Sequence, residues 1–258
     1  GLEILGRRAD GYHELRSVMH TVDLADEVTL RPSARVAVSC TGVTGENAAE
    51  KAAALYLARY PGCGAKIDIR KEIPMEAGLG GASADAAAVL RGLNQLYGRA
   101  EQDELAALAL QIGADVPFCL MGGCALAEGI GERLTPLPRQ DITLLIVKGE
   151  AGVSTKALFS SLGLPLPGVP VTEMVKLCTM QDSPAVARLM ENALQGPASA
   201  FRPEIACTCE HMMEFGALGA CMSGSGSAVA GAFATRADAE IAARAFGDMP
   251  FVRVCRTV

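Results

Sequence analysis

The chain has 258 residues, enough to bury one large or two modest cores. Charged residues make up 20% of it and the formal net charge is −6, which excludes a nucleic-acid partner held by general basicity. No apolar run approaches the ~20 residues of a membrane span, so no membrane partner is expected. In chain order, Val28–Arg31, Arg35–Cys40 and Lys66–Arg70 are expected as strands, and Ala48–Arg59, Ala82–Tyr97 and Gln102–Gln111 as helices. In the second helix Ala86, Leu90, Leu93 and Tyr97 stand three or four apart, the spacing of one face. Leu134–Gln140 carries two prolines and reads as a connector, placing a domain boundary between 138 and 139. Beyond it a strand (Asp141–Val147), a helix (Pro203–Phe215), strands Ala217–Met222 and Ala228–Phe233, a helix (Ala237–Phe246) and a strand (Phe251–Thr257) follow. They give a β-α-β-β-α-β order, with a helical stretch, Ser154–Leu194, inserted after its first strand.

The segment from Pro74 to Ala84, Pro-Met-Glu-Ala-Gly-Leu-Gly-Gly-Ala-Ser-Ala, breaks this regular pattern and leads straight into a helix. A glycine-rich turn that opens a helix exposes bare N–H groups at the positive end of the helix dipole, a natural anion site. Ser83 adds a hydroxyl suited to a phosphate oxygen or a metal ion, although no residue is assigned to a metal. No lysine follows the glycines, so a Walker A loop is excluded; Ser83 at the third glycine position weakens a dinucleotide fingerprint. By itself the segment is equally consistent with a nucleotide triphosphate loop and with a tight connector that binds nothing.

The nine cysteines include no C-x-x-C pair, and no histidine lies at zinc-finger spacing. They read as free, mostly buried thiols of a reducing compartment, which points to the cytoplasm. The opening residues Gly1–Arg8 lack the hydrophobic centre of a signal peptide.

Four motifs in collinear order narrow the function. They are Arg7-Arg-Ala-Asp-Gly-Tyr-His-Glu-Leu15; the Pro74–Ala84 segment; Ile112-Gly-Ala-Asp-Val-Pro-Phe118 with Gly122-Gly and Ala127-Glu-Gly-Ile-Gly-Glu132; and Gly219-Ala-Cys-Met-Ser-Gly-Ser-Gly226. Together they resemble the GHMP small-molecule kinases, and within them the branch acting on a cytidine diphosphate-linked sugar alcohol. The resemblance implies an α+β, two-domain GHMP kinase fold: a ribosomal protein S5 domain 2-like N-terminal domain over 1–138 and a ferredoxin-like C-terminal domain over 139–258. It also implies ATP and Mg2+ as cofactors, a small-molecule substrate, and a monomer or homodimer.

The site residues follow from the same resemblance. Pro74, Met75, Glu76, Ala77, Gly78, Leu79, Gly80, Gly81, Ala82, Ser83 and Ala84 would bind ATP, with Ser223, Gly224, Ser225 and Gly226 as a glycine loop on the phosphate side. Asn47 is read first as the cap of the helix it opens, and by resemblance as an adenine contact. Asp115, between Gly113 and Pro117, would be the base acting on the substrate hydroxyl; taken alone, an aspartate there reads as a helix cap. Tyr12 and His13 would hold the cytosine, the phenol by stacking and the imidazole by donating and accepting. Phe159 would cover the second face of the base, with Thr155 alongside; the bland reading puts Phe159 in the core of helix Thr155–Leu162.

The sequence departs from the family pattern twice. The lysine that partners the catalytic aspartate lies on a strand, Ala-Lys-Ile-Asn, whose place is upstream of Gly1, and Lys51 and Lys66 stand in the wrong segments to replace it. The link Cys40–Asn47 is also shorter than is usual, which bears on the adenine side. Two other readings stay open: another GHMP kinase with an alcohol such as homoserine or mevalonate, and a catalytically silent nucleotide-binding protein on the same scaffold.

Overall fold

The computed structural model describes residues 1–41 and 47–258, so most of the shortened Cys40–Asn47 link lies outside the described residues. The first six strands are β1 (Leu2–Arg7), β2 (His13–His20), β3 (Glu27–Pro32), β4 (Ala37–Cys40), β5 (Ala65–Arg70) and β6 (Cys124–Gly129). They are followed by β7 (Arg133–Leu137), β8 (Thr143–Lys148), β9 (Gly219–Met222), β10 (Val229–Phe233) and β11 (Phe251–Arg256). The helices are α1 (Ala48–Arg59), α2 (Gly81–Tyr97), α3 (Gln102–Ile112), α4 (Val116–Met121) and α5 (Thr155–Ser160). After them come α6 (Val171–Met180), α7 (Ser183–Arg188), α8 (Gln195–Phe201), α9 (Glu204–Glu214) and α10 (Arg236–Ala243).

By contacts the chain forms two compact units that interleave in sequence. One comprises Leu24–Ile73 and Gly80–Gly122. Here β3 runs antiparallel and β4 parallel to β5, giving the order β3-β5-β4; α2 packs on this sheet, and α1, α3 and α4 pack against α2. The apolar stripes of α1 and α2 meet in its core: Ala49, Ala52, Ala53 and Tyr56 from α1, and Ala86, Val89, Leu90 and Leu93 from α2, are all fully buried. A methyl on Gly92 would stand 2.6 Å from a Leu30 methyl, so a larger residue there requires the Leu30 side chain to shift.

The second unit comprises Gly1–Asp23, Pro74–Leu79 and Gly123–Val258 and holds two sheets. In the first, of order β1-β2-β6-β7, all pairs are antiparallel. Residues Leu134–Gln140 are therefore not only a connector: β7 occupies much of that stretch, and Pro136 is tolerated because β7 is an edge strand. The second sheet has the order β11-β8-β10-β9, again antiparallel throughout, with α9 between β8 and β9 and α10 between β10 and β11. This is the ferredoxin-like arrangement expected from the element order. Leu145, Val147, Met222, Val229 and Phe233 fill its core with Ile205, Met212 and Ala239 from the two helices. The inserted stretch after β8 is helical as expected, divided among α5, α6 and α7.

Candidate active site

The phosphate-loop segment is shaped by left-handed backbone at Glu76, Gly78 and Gly80, with φ of +50°, +69° and +68°. Glu76 accepts this conformation although it has a side chain, an uncommon choice. Gly80 is the N-cap residue of α2, which has no side-chain cap and no acidic residue in its first turn. The first N–H groups of a 17-residue helix are thus left open beside the loop, the arrangement that binds anions. Ser83 lies in this first turn, partly exposed.

The first half of the loop is clamped to the distant glycine loop. The Ser223 hydroxyl donates to the Gly78 carbonyl at 2.9 Å, and the N–H groups of Ser227 and Ala228 donate to Glu76 and Ala77 at 3.1 and 3.0 Å. A methyl on Gly78 would lie 2.1 Å from the Ser223 carbonyl oxygen, so only glycine fits. Gly224 and Gly226 turn this loop with φ of +51° and +85°. Asn192, 9% exposed, braces it from behind: its amide donates at 2.8 Å to the carbonyls of both Met222 and Gly224.

Asp115 flanks the N-terminus of α4, yet its side chain makes no capping bond. Pro117 follows in the first turn, where a missing N–H leaves nothing unpaired. Solvent reaches Asp115, and the protein around it still raises its carboxyl above the ordinary aspartate value. Cys119 is one turn further on, its thiol pushed up to about 12 mainly by burial and so neutral at physiological pH. Asn47, by contrast, is the cap of α1: its Oδ1 accepts the Ala49 N–H at 2.9 Å.

Two of the three expected ring residues, His13 and Phe159, meet. Tyr12 is 60% exposed at the end of a turn closed by the Arg8 N–H donating to its carbonyl at 2.7 Å. His13, the first residue of β2, faces Phe159 with ring centroids 5.2 Å apart and planes tilted by 44°. Phe159 is packed against the core but only partly buried, between its two expected roles. Burial and the Arg7 charge lower the His13 pKa, so the imidazole is neutral at pH 7 and able both to donate and to accept. Thr155, at the start of α5, shares a 2.8 Å hydrogen bond with the Ser225 hydroxyl, linking the aromatic region to the glycine loop.

Sequence reasoning missed one group beside the phosphate loop. Lys71, just before Pro74, bonds the carboxylates of Asp26 and Asp85 at 2.5 and 2.6 Å. The only signal was position: Lys71 and Asp85 bracket the glycine segment directly.

The GHMP kinases N terminal domain family matches residues 47–123, and the GHMP kinases C terminal family matches residues 174–250. A 4-diphosphocytidyl-2-C-methyl-D-erythritol kinase of Caldicellulosiruptor saccharolyticus is 43% identical over 251 residues, covering 92% of this chain and 86% of its own. A crystal structure of 4-(cytidine 5'-diphospho)-2C-methyl-D-erythritol kinase superposes with a TM-score of 0.84 at 36% identity, covering 100% of this chain and 95% of its own. Homoserine kinase from Cytophaga hutchinsonii superposes at 0.78 with 23% identity, over 93% of this chain and 88% of its own, a likeness of fold. With both domains matched and identity sustained along nearly the whole chain, this protein belongs to the GHMP kinases and, within them, to the 4-diphosphocytidyl-2-C-methyl-D-erythritol kinase family.

Proposed function

We propose that this protein transfers the γ-phosphoryl group of ATP to the 2-hydroxyl of 4-diphosphocytidyl-2-C-methyl-D-erythritol, in non-mevalonate isoprenoid precursor synthesis. Kinase activity follows from the family; the observation that carries the cytidine assignment is the His13–Phe159 ring pair with Tyr12 exposed beside it in sequence. A neutral imidazole suits the donor and acceptor edge of cytosine, and the Tyr12 and Phe159 rings suit its two faces. Homoserine and mevalonate have no base for these rings to hold, which weighs against the related kinases. A silent scaffold is disfavoured by Asp115, whose carboxylate caps nothing and is reached by solvent.

In this reading the open N–H groups of the first turn of α2, with the Gly78–Ser83 backbone, cradle the nucleotide's phosphates. Ser223 to Gly226 hold the loop from the far side. Asp115 accepts or orients the proton of the attacking hydroxyl. Asn47 is committed to α1 through Oδ1, and an adenine contact would fall to its amide group. Among the described residues no group of three or more His, Cys, Asp or Glu is arranged to hold a metal ion. Mg2+ therefore fits best as an ion carried on the nucleotide's phosphates, where it would neutralise charge in the transition state.

No helix of the described residues is long and apolar enough to cross a membrane, and all nine cysteines are free thiols. Free thiols suit the reducing cytoplasm, where we place the protein, as a monomer or homodimer. A phosphoryl-transfer assay with the cytidine substrate, homoserine and mevalonate side by side tests the assignment. Turnover with the first alone is expected, and turnover of either other alcohol at comparable kcat/KM would refute it.

A further inference from the structure

Lys71 carries its ammonium into a cluster that the proposed mechanism leaves unused. Its Nζ donates to Asp26 Oδ2 at 2.5 Å and to Asp85 Oδ2 at 2.6 Å. Asp26 is fully engaged, because its other oxygen accepts the N–H groups of Glu72 and Ile73 at 2.6 and 2.8 Å. Asp85 is not: the residue is 4% exposed, and its Oδ1 is buried with no hydrogen-bond partner among the described residues. Burial is the largest influence on this carboxyl and outweighs the Lys71 ammonium, pushing it up to about 6.

The position of the ammonium is unusual. A methyl placed on Gly81, the first residue of α2, would lie 3.5 Å from it. A cation beside a helix N-terminus opposes the helix dipole, and α2 has neither a cap nor an acidic first turn to offset it. What suits both the open N–H groups and the ammonium is an anion seated on that first turn. Asp85, with half of its carboxylate unsatisfied, then competes with that anion for the same cation.

We propose that Asp85 is an internal competitor for phosphate: it draws the Lys71 ammonium away from an anion on the first turn of α2 and so sets how tightly that anion is held. The inference rests on the reading of Pro74–Ala84 as a nucleotide loop. Recapture of Lys71 by Asp85 would favour release of spent nucleotide after each turnover, a step that often limits kcat.

Calorimetric titration of the whole chain at low ionic strength tests this, with ATP, ADP and adenosine as probes. The proteins compared are wild type, Asp85→Asn, Lys71→Met and the double variant, each checked for folding by thermal melting. Asparagine keeps the shape of aspartate and can still accept a bond from Lys71, but carries no charge. Asp85→Asn is expected to bind ATP and ADP roughly 3- to 30-fold more tightly, the scale of one screened charge a few ångströms away, with adenosine affinity unchanged. In the Lys71→Met background that gain should vanish.

Unchanged or weaker ATP binding by folded Asp85→Asn overturns the proposal. So does an equal gain without Lys71, which would mean plain repulsion of phosphate by Asp85. If Lys71→Met does not fold, the ATP–adenosine contrast in Asp85→Asn decides alone: a gain shared by adenosine sinks the idea. A folded wild type that binds neither ATP nor ADP removes the nucleotide-loop reading itself and this inference with it, whereas equal ATP binding by wild type and Asp85→Asn removes this inference only.

Discussion

The Ser223 hydroxyl donates to the Gly78 carbonyl at 2.9 Å, joining two glycine-rich loops that lie 145 positions apart in the chain. Gly78 and Gly80 look alike in sequence and share a left-handed backbone, but their surroundings differ. A methyl on Gly78 collides with the backbone of Ser223 and Gly226, while one on Gly80 meets only the Cys119 sulfur at 3.9 Å. Gly80→Ala should cost about 1–2 kcal/mol of stability, from left-handed strain alone. Gly78→Ala should cost clearly more, because backbone cannot step aside. Denaturant unfolding of the two variants checks the order; equal losses would mean that the two loops are not clamped as described.

Asp115 gives a test that separates chemistry from folding. Because its side chain caps nothing, Asp115→Asn should melt at the wild-type temperature. Loss of a general base lowers kcat by roughly 10²–10⁴-fold, with both substrates still binding. A lower melting temperature with turnover per folded molecule preserved would return Asp115 to a capping role. The raised carboxyl pKa also sets a sign: activity should rise with pH as Asp115 ionises, with an acid limb above the ordinary aspartate range.

Phe159 and His13 predict specificity. Phe159→Ala removes one ring face and should weaken cytidine monophosphate by about 1–3 kcal/mol, roughly 5- to 150-fold, with ATP affinity unchanged. His13 is held neutral by burial and Arg7, so cytidine binding should be flat above pH 7 and weaken as the ring protonates at lower pH. Competition by cytidine and uridine nucleotides at pH 5.5 and 7.5 reads both effects. Equal binding of the two bases would remove His13 from base recognition.

Much of this was legible because it is local. The α2 stripe, the glycine turns and the β-α-β-β-α-β order each declare themselves within a few residues. Pro136 misled because a proline mid-segment looks like a break unless the strand is known to be an edge, which depends on pairing with β6. The hairpin of β1 and β2 was read only as a motif, since both strands are mostly half-buried and show little alternation. The Asp26–Lys71–Asp85 cluster shows in sequence only as two charges bracketing the glycine segment: its members come from three segments, and an aspartate in an alanine-rich helix suggests a solvated face until its burial is seen.

Asp85 also predicts a pH-dependent stability. Its folded pKa of about 6 lies above the ordinary aspartate value, so the folded state holds the proton longer than the unfolded chain. The contribution is therefore present in full below about pH 4 and lost as pH rises through 6. Asp85→Asn lacks this titration. Its stability relative to wild type should improve between pH 4.5 and pH 7.5, as read by denaturant unfolding at the two values. A difference that stays constant with pH would show that Asp85 titrates normally.

Asn192 carries a consequence of another kind. Its amide gives both hydrogens to the glycine loop and its oxygen accepts the Leu194 N–H at 2.9 Å, so every polar atom of the side chain has a fixed task. Hydrolytic loss of that amide nitrogen, the slow ageing reaction of asparagine, would set a carboxylate oxygen against two carbonyl oxygens. A change of a single functional group, unseen by most measures of fold, would then unsettle the loop that grips Gly78. The fold holds that reaction off, because the Ala193 N–H that would attack the amide is bonded to the Leu2 carbonyl at 2.9 Å.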